Sequence, residues 1–326
     1  MENQKQSDSQ ELAELKSKLV KYENMAKYDD EIDLKELWRA IWQGKLLVIF
    51  ITAIFSIASV FYALSLPDIY KSEALLAPAE EQDSNLGGMA SQLGGLASLA
   101  GVNLGGGKAD KTTLALEVIK SRAFTFKFIE KYDITADLMA VKGWELESNK
   151  LIYDESIYNP HSKKWLRDVK APLKSQPSLQ EAYKVLQKIV NVEQDKSNAM
   201  ITISVEHYSP YVAKKWVDLL ISASNEEMKS RDLLEANNSI AYLTEQLEHT
   251  RISGLQEILY QLIEEQTKTI MFANVRDEYI LKTIDPALVP ELKSGPQRAL
   301  ICVLGFMLGG MLAMLIILIR YFNSKD

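Results

Sequence analysis

The sequence predicts an α+β protein whose soluble part lies between two membrane-spanning helices. Two apolar stretches, 46–66 and 299–319, lie near opposite ends of the 326-residue chain. Each has about 21 residues, enough to cross a hydrocarbon core roughly 30 Å thick as a helix. Between them, helical periodicity and short alternating segments mix without regular repetition, which favours a compact α+β domain over a parallel α/β fold.

Both stretches are more apolar than a buried helix of a soluble protein. Their polar side chains are hydroxyls in the first and one thiol, Cys302, in the second, whereas a core helix usually keeps a polar stripe. A cleaved signal peptide is the alternative for the first stretch, because Ala63-Leu64-Ser65 resembles a cleavage site. The length of the apolar run and the long acidic tail before it favour a retained helix.

Basic residues predict the orientation. Four of them precede the first stretch, whereas Lys71 stands alone just after it, so the amino terminus is expected in the cytoplasm. Two crossings return the carboxyl terminus to the same side. We therefore expect cytoplasmic tails at 1–45 and 320–326, and a domain at 67–298 outside the inner membrane, in the periplasm of a bacterium with two membranes. The four residues are Lys27, Lys35, Arg39 and Lys45.

Two short patterns predict helices in the amino-terminal tail. Residues 30–42 repeat apolar side chains at helical spacing, and Trp38 and Trp42 suit the membrane interface, where indole rings anchor a crossing helix. Nearer the amino terminus, four apolar residues keep a three-four spacing, but two heptads favour a frayed helix over a stable coiled coil. These four are Leu12, Leu15, Leu19 and Tyr22.

The segment 86–107 is rich in glycine and weakly apolar. Gly107-Lys108 invites comparison with a phosphate-binding loop. However, Val102 stands where that motif needs its first glycine, and Ala109 replaces the hydroxyl residue that binds the metal. A mobile loop is therefore predicted here.

Short periodic segments predict the elements of the outer domain. Strands are indicated by alternation of apolar and polar side chains and by a terminating proline, Pro78, whereas helices are indicated by three-four spacing. The predicted strands are 69–77, 199–207 and 278–284, and the predicted helices are 113–131 and 178–190.

The most unusual outer segment is 211–285, which contains no proline and a single glycine, Gly254. Three-four spacing continues through it, with abundant charges between the apolar rows. The roughly 40 residues before Gly254 could extend about 60 Å as a helix. An ordinary pair of core helices is the alternative, but the charges favour a projecting helical arm over 211–275.

Composition restricts the function classes. The only cysteine, Cys302, lies in the second apolar stretch, so the outer domain must rely on packing or self-association instead of a disulfide. The net charge of -7 disfavours a nucleic-acid partner. His161, His207 and His249 are far apart, and the sequence has no nucleophile elbow, dinucleotide fingerprint or metal-ligand spacing. We therefore predict no catalytic, cofactor-binding or metal-binding residues.

Candidate working positions lie at the approach to the second stretch and within it. Three prolines remove backbone donors and bias the preceding residues away from helix, so the link at 286–296 is expected to be extended and stiff. A small-x-x-x-small series inside the stretch allows close approach by the first helix or by a partner, although glycine is also common in membrane helices. The prolines are Pro286, Pro290 and Pro296, and the small residues are Gly305, Gly309 and Ala313.

Four short segments resemble the Wzz chain-length determinants, also called polysaccharide co-polymerases. They are EIDLKELW at 31–38, YKSEA at 70–74, NVRDEY at 274–279 and DPALVPELKSGP at 285–296. The resemblance implies an inner-membrane protein that sets the modal length of a surface polysaccharide, such as lipopolysaccharide O-antigen, without being an enzyme. It also implies a periplasmic α+β base with a helical arm, and assembly into a ring-like homo-oligomer.

The resemblance further implies a membrane-embedded polymerase as partner, and contact with the nascent lipid-linked polysaccharide. Some relatives carry a tyrosine-kinase domain after the second crossing; the short tail and the lack of a nucleotide motif favour the kinase-free type. The main alternative is a membrane-anchored periplasmic sensor or adaptor. An enzyme acting on periplasmic glycan and an export-pump adaptor are further alternatives.

Overall fold

The computed structural model describes residues 16–18, 20, 38, 42–79 and 111–323. The chain divides into two compact units, one formed by Met1–Leu66 and Gln297–Asp326, the other by Pro67–Pro296. The predicted amino-terminal spacing at Leu12, Leu15, Leu19 and Tyr22, most of the helix predicted at 30–42, and the glycine-rich segment 86–107 lie outside the described residues.

The described helices and strands are named in chain order. They are α1 (Lys45–Ser65), β1 (Tyr70–Pro78), α2 (Lys111–Lys120), α3 (Arg122–Tyr132), α4 (Thr135–Met139), β2 (Val141–Glu145), β3 (Lys150–Tyr153), β4 (Tyr158–Asn159), β5 (Lys164–Trp165), α5 (Leu179–Ile189), β6 (Val190–Gln194), β7 (Ile201–His207), α6 (Pro210–His249), α7 (Ser253–Val275), β8 (Leu281–Asp285) and α8 (Arg298–Asn323).

Helices α1 and α8 pack against each other in the first unit. Both are long and apolar enough to span a membrane. Their bounds agree within one residue with the predicted stretches 46–66 and 299–319, except that α8 continues to Asn323. With the mixed helices and strands of the second unit, they confirm the predicted α+β class with two flanking membrane helices.

A four-stranded antiparallel sheet organises the second unit, in the order β6-β7-β1-β8. β7 carries the predicted apolar face, on which Ile201, Ile203 and Val205 are fully buried. α6 packs on β1 and β7 and contributes Trp216 and Val217 to the same core. The sheet thus joins the beginning of the outer segment, β1, to its end, β8.

The prediction of one helix over 113–131 is wrong, because the structure has two helices that part at Ser121. Ser121 has extended dihedrals (φ -68°, ψ 150°), and its Oγ accepts a hydrogen bond from the Phe124 N–H at 3.2 Å. A serine that satisfies an otherwise unpaired N–H starts a new helix instead of continuing the old one. Apolar periodicity continues across the break because α2 and α3 bury side chains in one core.

The long helical region predicted over 211–275 is confirmed. α6 has 40 residues and α7 has 23, and α7 packs back along α6. No residue of α6, all of which the structure describes, is buried beyond Ala236. The distal part of this helix pair therefore contributes little to the core, as an arm would. The chain reverses at 250–252, and Gly254 lies in the first turn of α7.

β8 begins three residues later than the strand predicted at 278–284. Just before β8 and at its first residue, the backbone bonds to the buried side chain of Asn225 on α6. Its Oδ1 accepts hydrogen bonds from the N–H groups of Ile280 at 2.8 Å and Leu281 at 2.9 Å, and its Nδ2 donates to the Leu281 carbonyl at 3.0 Å. A side-chain amide therefore pairs with the backbone where strand pairing was expected.

Candidate functional site: the membrane seam and the proline clamp

The two membrane helices meet along a row of small and hydroxyl side chains, which we call the membrane seam. The row repeats every four residues on α8 and at four-three-four spacing on α1, so each set lies on one helix face. The seam consists of Gly305, Gly309 and Ala313 on α8, and Thr52, Ser56, Ser59 and Ala63 on α1. The predicted small residues thus lie on a single face.

Gly305 and Gly309 mark the closest approach of the two helices. A Cβ atom at Gly309 would lie 2.7 Å from the Phe55 Cβ and 3.2 Å from the Thr52 Cα, and one at Gly305 would overlap the Ser59 side chain. At the neighbouring Gly310, the nearest atom would be Thr52 Oγ1 at 4.0 Å. Contact between the helices therefore requires glycine at 305 and 309 but accepts a methyl group at 310.

Most seam hydroxyls bond to their own helix. Ser56 Oγ donates to the Thr52 carbonyl at 2.7 Å, and Ser59 Oγ donates to the Ser56 carbonyl at 2.8 Å. Thr52 Oγ1 is buried and has no hydrogen-bond partner among the described residues. Close packing, rather than hydrogen bonding between side chains of the two helices, therefore holds this part of the seam.

Arg298, the first residue of α8, lies at one end of the seam. Its Nε donates to the Ala63 carbonyl and its Nη2 to the Leu66 carbonyl, both at 3.1 Å. The Ala63 carbonyl belongs to the last turn of α1 and the Leu66 carbonyl to the residue that caps it, where carbonyls lack partners within the helix and attract a cation. The guanidinium therefore fastens the beginning of α8 to the end of α1.

The link before α8 folds back onto the start of β1, and we call this arrangement, formed by 68–72 and 286–296, the proline clamp. The Ile69 N–H donates to the Gly295 carbonyl at 2.9 Å, and the Ser294 N–H donates to the Ile69 carbonyl at 2.8 Å. An ion pair between Lys293 and Asp68 at 3.1 Å adds to them. The residues that enter and leave the second unit are therefore joined directly.

A buried contact holds the other end of the clamp. Ser72 is 2% exposed, and its Oγ donates to the Leu288 carbonyl at 2.7 Å. Ala287, beside it, is also buried. The predicted prolines belong to the clamp segment 286–296 and lie outside the core. Pro286 is exposed, whereas Pro290 and Pro296 are partly buried.

Sequence reasoning misses the partners of the predicted positions. No local pattern marks Arg298, and Ser72 is predicted only as part of a strand. Their partners are backbone carbonyls distant in sequence, which no local pattern reveals. The α1 side of the seam does leave a signal, because Thr52, Ser56, Ser59 and Ala63 keep helical spacing.

The side chain of His207 is buried and lies within hydrogen-bond distance of backbone groups. Its Nδ1 accepts a hydrogen bond from the Ser209 N–H at 3.0 Å, and its Nε2 lies 3.2 Å from the Asp137 carbonyl. Burial lowers the pKa of His207, although the Asp137 carbonyl opposes this. The imidazole thus joins β7 and the start of α6 to α4 in its neutral form.

Two neighbouring carboxylates in the first half of α6, Glu226 and Glu227, form ion pairs with basic side chains. Glu226 forms an ion pair with Lys131 at 2.5 Å, and Glu227 bonds to Lys127 at 3.1 Å and to Arg231 at 2.8 Å. Burial raises the pKa of Glu227, but hydrogen bonds from Arg231 and Lys127 outweigh it, so the pKa is below its usual value. These pairs join α3 to α6. The described residues contain no cluster of three metal-ligating side chains.

Residues 30–132 match the family model described as "Wzz: Chain length determinant protein". The matched range includes α1, β1, α2 and α3. The predicted resemblance to the Wzz chain-length determinants is thereby confirmed. Among curated proteins, no sequence matches this chain.

Two solved structures are similar to the chain. One is described as a full-length bacterial polysaccharide co-polymerase, with 13% identity and a TM-score of 0.37, covering 91% of this chain and 99% of that one. The other is a fragment of WzzB, a polysaccharide co-polymerase from Salmonella Typhimurium, with 10% identity and a TM-score of 0.30, covering 70% and 100%. Both superpositions are loose.

Proposed function

We propose that this protein regulates the modal chain length of a bacterial surface polysaccharide from the inner membrane. The observation that carries the proposal is the Wzz match over 30–132, which spans the first membrane helix and the beginning of the outer unit. The second membrane helix and the long helix pair support it, because both agree with the architecture that the resemblance implies. The proposal assigns no bond-making step to any residue.

The proline clamp and the membrane seam give this function a physical basis. The clamp joins Ile69 to Gly295 by backbone hydrogen bonds, and the seam joins α1 to α8 at Gly305 and Gly309. Clamp and seam follow one another along the chain at both crossings. In our proposal, the clamp sets the separation of the two chain ends of the outer unit, and the seam sets the separation of the two helices.

The finer parts of the proposal follow the resemblance. Copies of the chain associate through their outer units into a ring-like homo-oligomer, and the assembly acts on a membrane-embedded polymerase and its lipid-linked product. O-antigen of lipopolysaccharide is the proposed polysaccharide. Both termini lie in the cytoplasm and 67–298 in the periplasm, as the basic residues before α1 favour.

Gene deletion with complementation tests this function. Lipopolysaccharide from the deletion strain, separated on a gel, should lose its clustered band of preferred lengths, and a plasmid copy of the gene should restore it. A ladder that deletion leaves unchanged would contradict the O-antigen assignment. The same comparison with capsular or exopolysaccharide would then test the broader proposal.

A further inference from the structure

The two edges of the four-stranded sheet differ in how their backbone groups are occupied. At β8, the N–H and the carbonyl of Leu281 bond to the side chain of Asn225, and the Thr283 N–H donates to Glu278 Oε1 at 3.0 Å. Side chains of the same unit therefore close this edge. Closure of this kind prevents an edge strand from pairing with another chain.

β6 forms the opposite edge, and part of its backbone points away from β7. The Asp195 N–H donates to the Met200 carbonyl at 2.8 Å, just beyond the β6–β7 ladder. Because residues of an antiparallel strand face their partner alternately, Glu193 also faces β7, whereas Val192 and Gln194 face the open side. Within the described part of the chain, no strand lies on that side and no side chain bonds to the backbone of Val192 or Gln194.

An apolar cavity lies against the same strand. Its volume is about 370 Å³, and Val190 and Val192 contribute to its wall together with side chains of α2, α3, α5 and α6. Phe124, Phe128 and Leu186 belong to this wall and are at most 4% exposed. Residues directly opposite each other in paired strands point to the same face of a sheet. A strand added to β6 therefore directs the side chain opposite Val192 to the side of the sheet on which the cavity lies.

We propose that the free edge of β6 and this cavity form a docking site for an extended peptide segment of a partner protein. The segment adds a fifth strand to the sheet, and one of its apolar side chains enters the cavity, as in other cases of strand addition. The open groups of Val192 and Gln194 recur at a spacing of roughly 7 Å, which is the repeat of a second strand. An acyl chain has no donors to match them, and a glycan lacks this repeat.

The closed edge at β8 argues against a second copy of this chain as the partner. Copies that continued one sheet in series would pair β6 of one copy with β8 of the next, where Asn225 and Glu278 already occupy the backbone. The partner is therefore a different protein, with an exposed segment that is apolar at every second residue. This proposal does not depend on polysaccharide regulation, because it rests on contacts within the second unit alone.

Photo-crosslinking of the full-length protein in its own cell tests the site. A benzophenone-bearing phenylalanine replaces Asn191 or, separately, Glu193, whose side chains are exposed on β6. The matched control carries it in place of Glu73, which is exposed on β1 but has a strand on either side. Mass spectrometry maps the adducts. Strand addition predicts that the probes at 191 and 193 mark positions two residues apart on one peptide of one protein, and that the control does not mark this peptide.

A backbone substitution distinguishes strand pairing from mere proximity. Val192→Pro removes an N–H that faces the open side and leaves the donors to β7 in place, so the adduct at 193 should be lost. Val192→Ala keeps the N–H and should keep the adduct. Circular dichroism reports whether Val192→Pro is folded. Gln194→Pro also removes an outward N–H, so it should lose the adduct as well and serves as the second variant.

Three results would overturn the proposal. One is the lack of a protein adduct at 191 and 193, or marks that do not lie two residues apart on one peptide. Another is an adduct between differently tagged copies of this chain, which would assign the edge to self-association. The third is an adduct that persists in a folded proline variant, because such an adduct would not require pairing with the backbone of β6.

Discussion

Ile69 and Gly295 exchange backbone hydrogen bonds, with the Ile69 N–H bound to the Gly295 carbonyl at 2.9 Å and the Gly295 N–H bound to the Ile69 carbonyl at 3.2 Å. Ile69 precedes β1 and Gly295 precedes Pro296, so the pair joins the first and last parts of the outer unit. Buried or protected backbone pairs of this kind resist local opening. The pair therefore fixes the separation of the two connections that lead into the membrane.

Replacing Gly305 and Gly309 together by Leu should disturb the polysaccharide length distribution while the outer unit stays folded. The larger side chains would collide with Ser59 and Phe55 and force α8 away from α1. The readouts are the lipopolysaccharide ladder and circular dichroism of the purified protein. Gly310→Ala is the matched control and should leave the ladder unchanged, since the nearest atom to its new methyl group would be 4.0 Å away. An unaltered ladder in the double variant would show that close contact at the seam is not needed for control of polysaccharide length.

Ser72→Ala should loosen the proline clamp locally. The substitution removes the partly buried hydrogen bond to the Leu288 carbonyl, at a cost of about 0.5–1.5 kcal/mol. Amide hydrogen exchange should accelerate at Ile69 and Ser294 and remain unchanged in α7. Ser148→Ala, in the exposed turn between β2 and β3, is the control. Equal acceleration in both variants would speak against a local clamp.

Asn225→Leu should destabilise the second unit by about 2–4 kcal/mol, because three backbone groups of Ile280 and Leu281 lose their partner. Denaturant unfolding in detergent, followed by tryptophan fluorescence, measures the change in free energy. Asn237→Leu, at an exposed position on the same helix, should change it by less than about 0.5 kcal/mol. If the two variants lost similar amounts of unfolding free energy, the hydrogen bonds of Asn225 would not be the source of the loss.

The stability of the second unit should fall as the pH drops below about 6.5, the ordinary pKa of histidine. Burial lowers the pKa of His207 in the folded state, so the unfolded chain takes up a proton at a higher pH than the folded chain does. Stability is therefore complete above the unfolded pKa and declines as the pH falls toward the folded value. His207→Gln should flatten this part of the profile of unfolding free energy against pH, whereas His249→Gln should not. A profile that His207→Gln leaves unchanged would assign the decline to other groups.

The elements best predicted from the sequence have a strong local pattern. The membrane helices, β7 and α5 agree closely because apolar length, alternation and three-four spacing each identify them. The break at Ser121 is missed because apolar periodicity continues through it. The β2–β3 and β4–β5 hairpins give little signal, since their strands have only two to five residues.

The candidate site is predictable only in part. The proline and glycine positions of the site can be predicted from the sequence, because the effects of these residues on the backbone are local. Their partners are set by contacts between segments far apart in sequence, such as Ile69 with Gly295 and Arg298 with Ala63. A single sequence contains no local pattern for such pairs.

The most direct test of the central claim is to measure total surface polysaccharide and its length distribution separately in a strain that lacks the gene. A regulator of chain length leaves polymerisation to another protein, so the account predicts that the total persists while the preferred length disappears. Loss of all polymer would point to a synthetic enzyme instead. Retention of both the total and the preferred length would contradict the account.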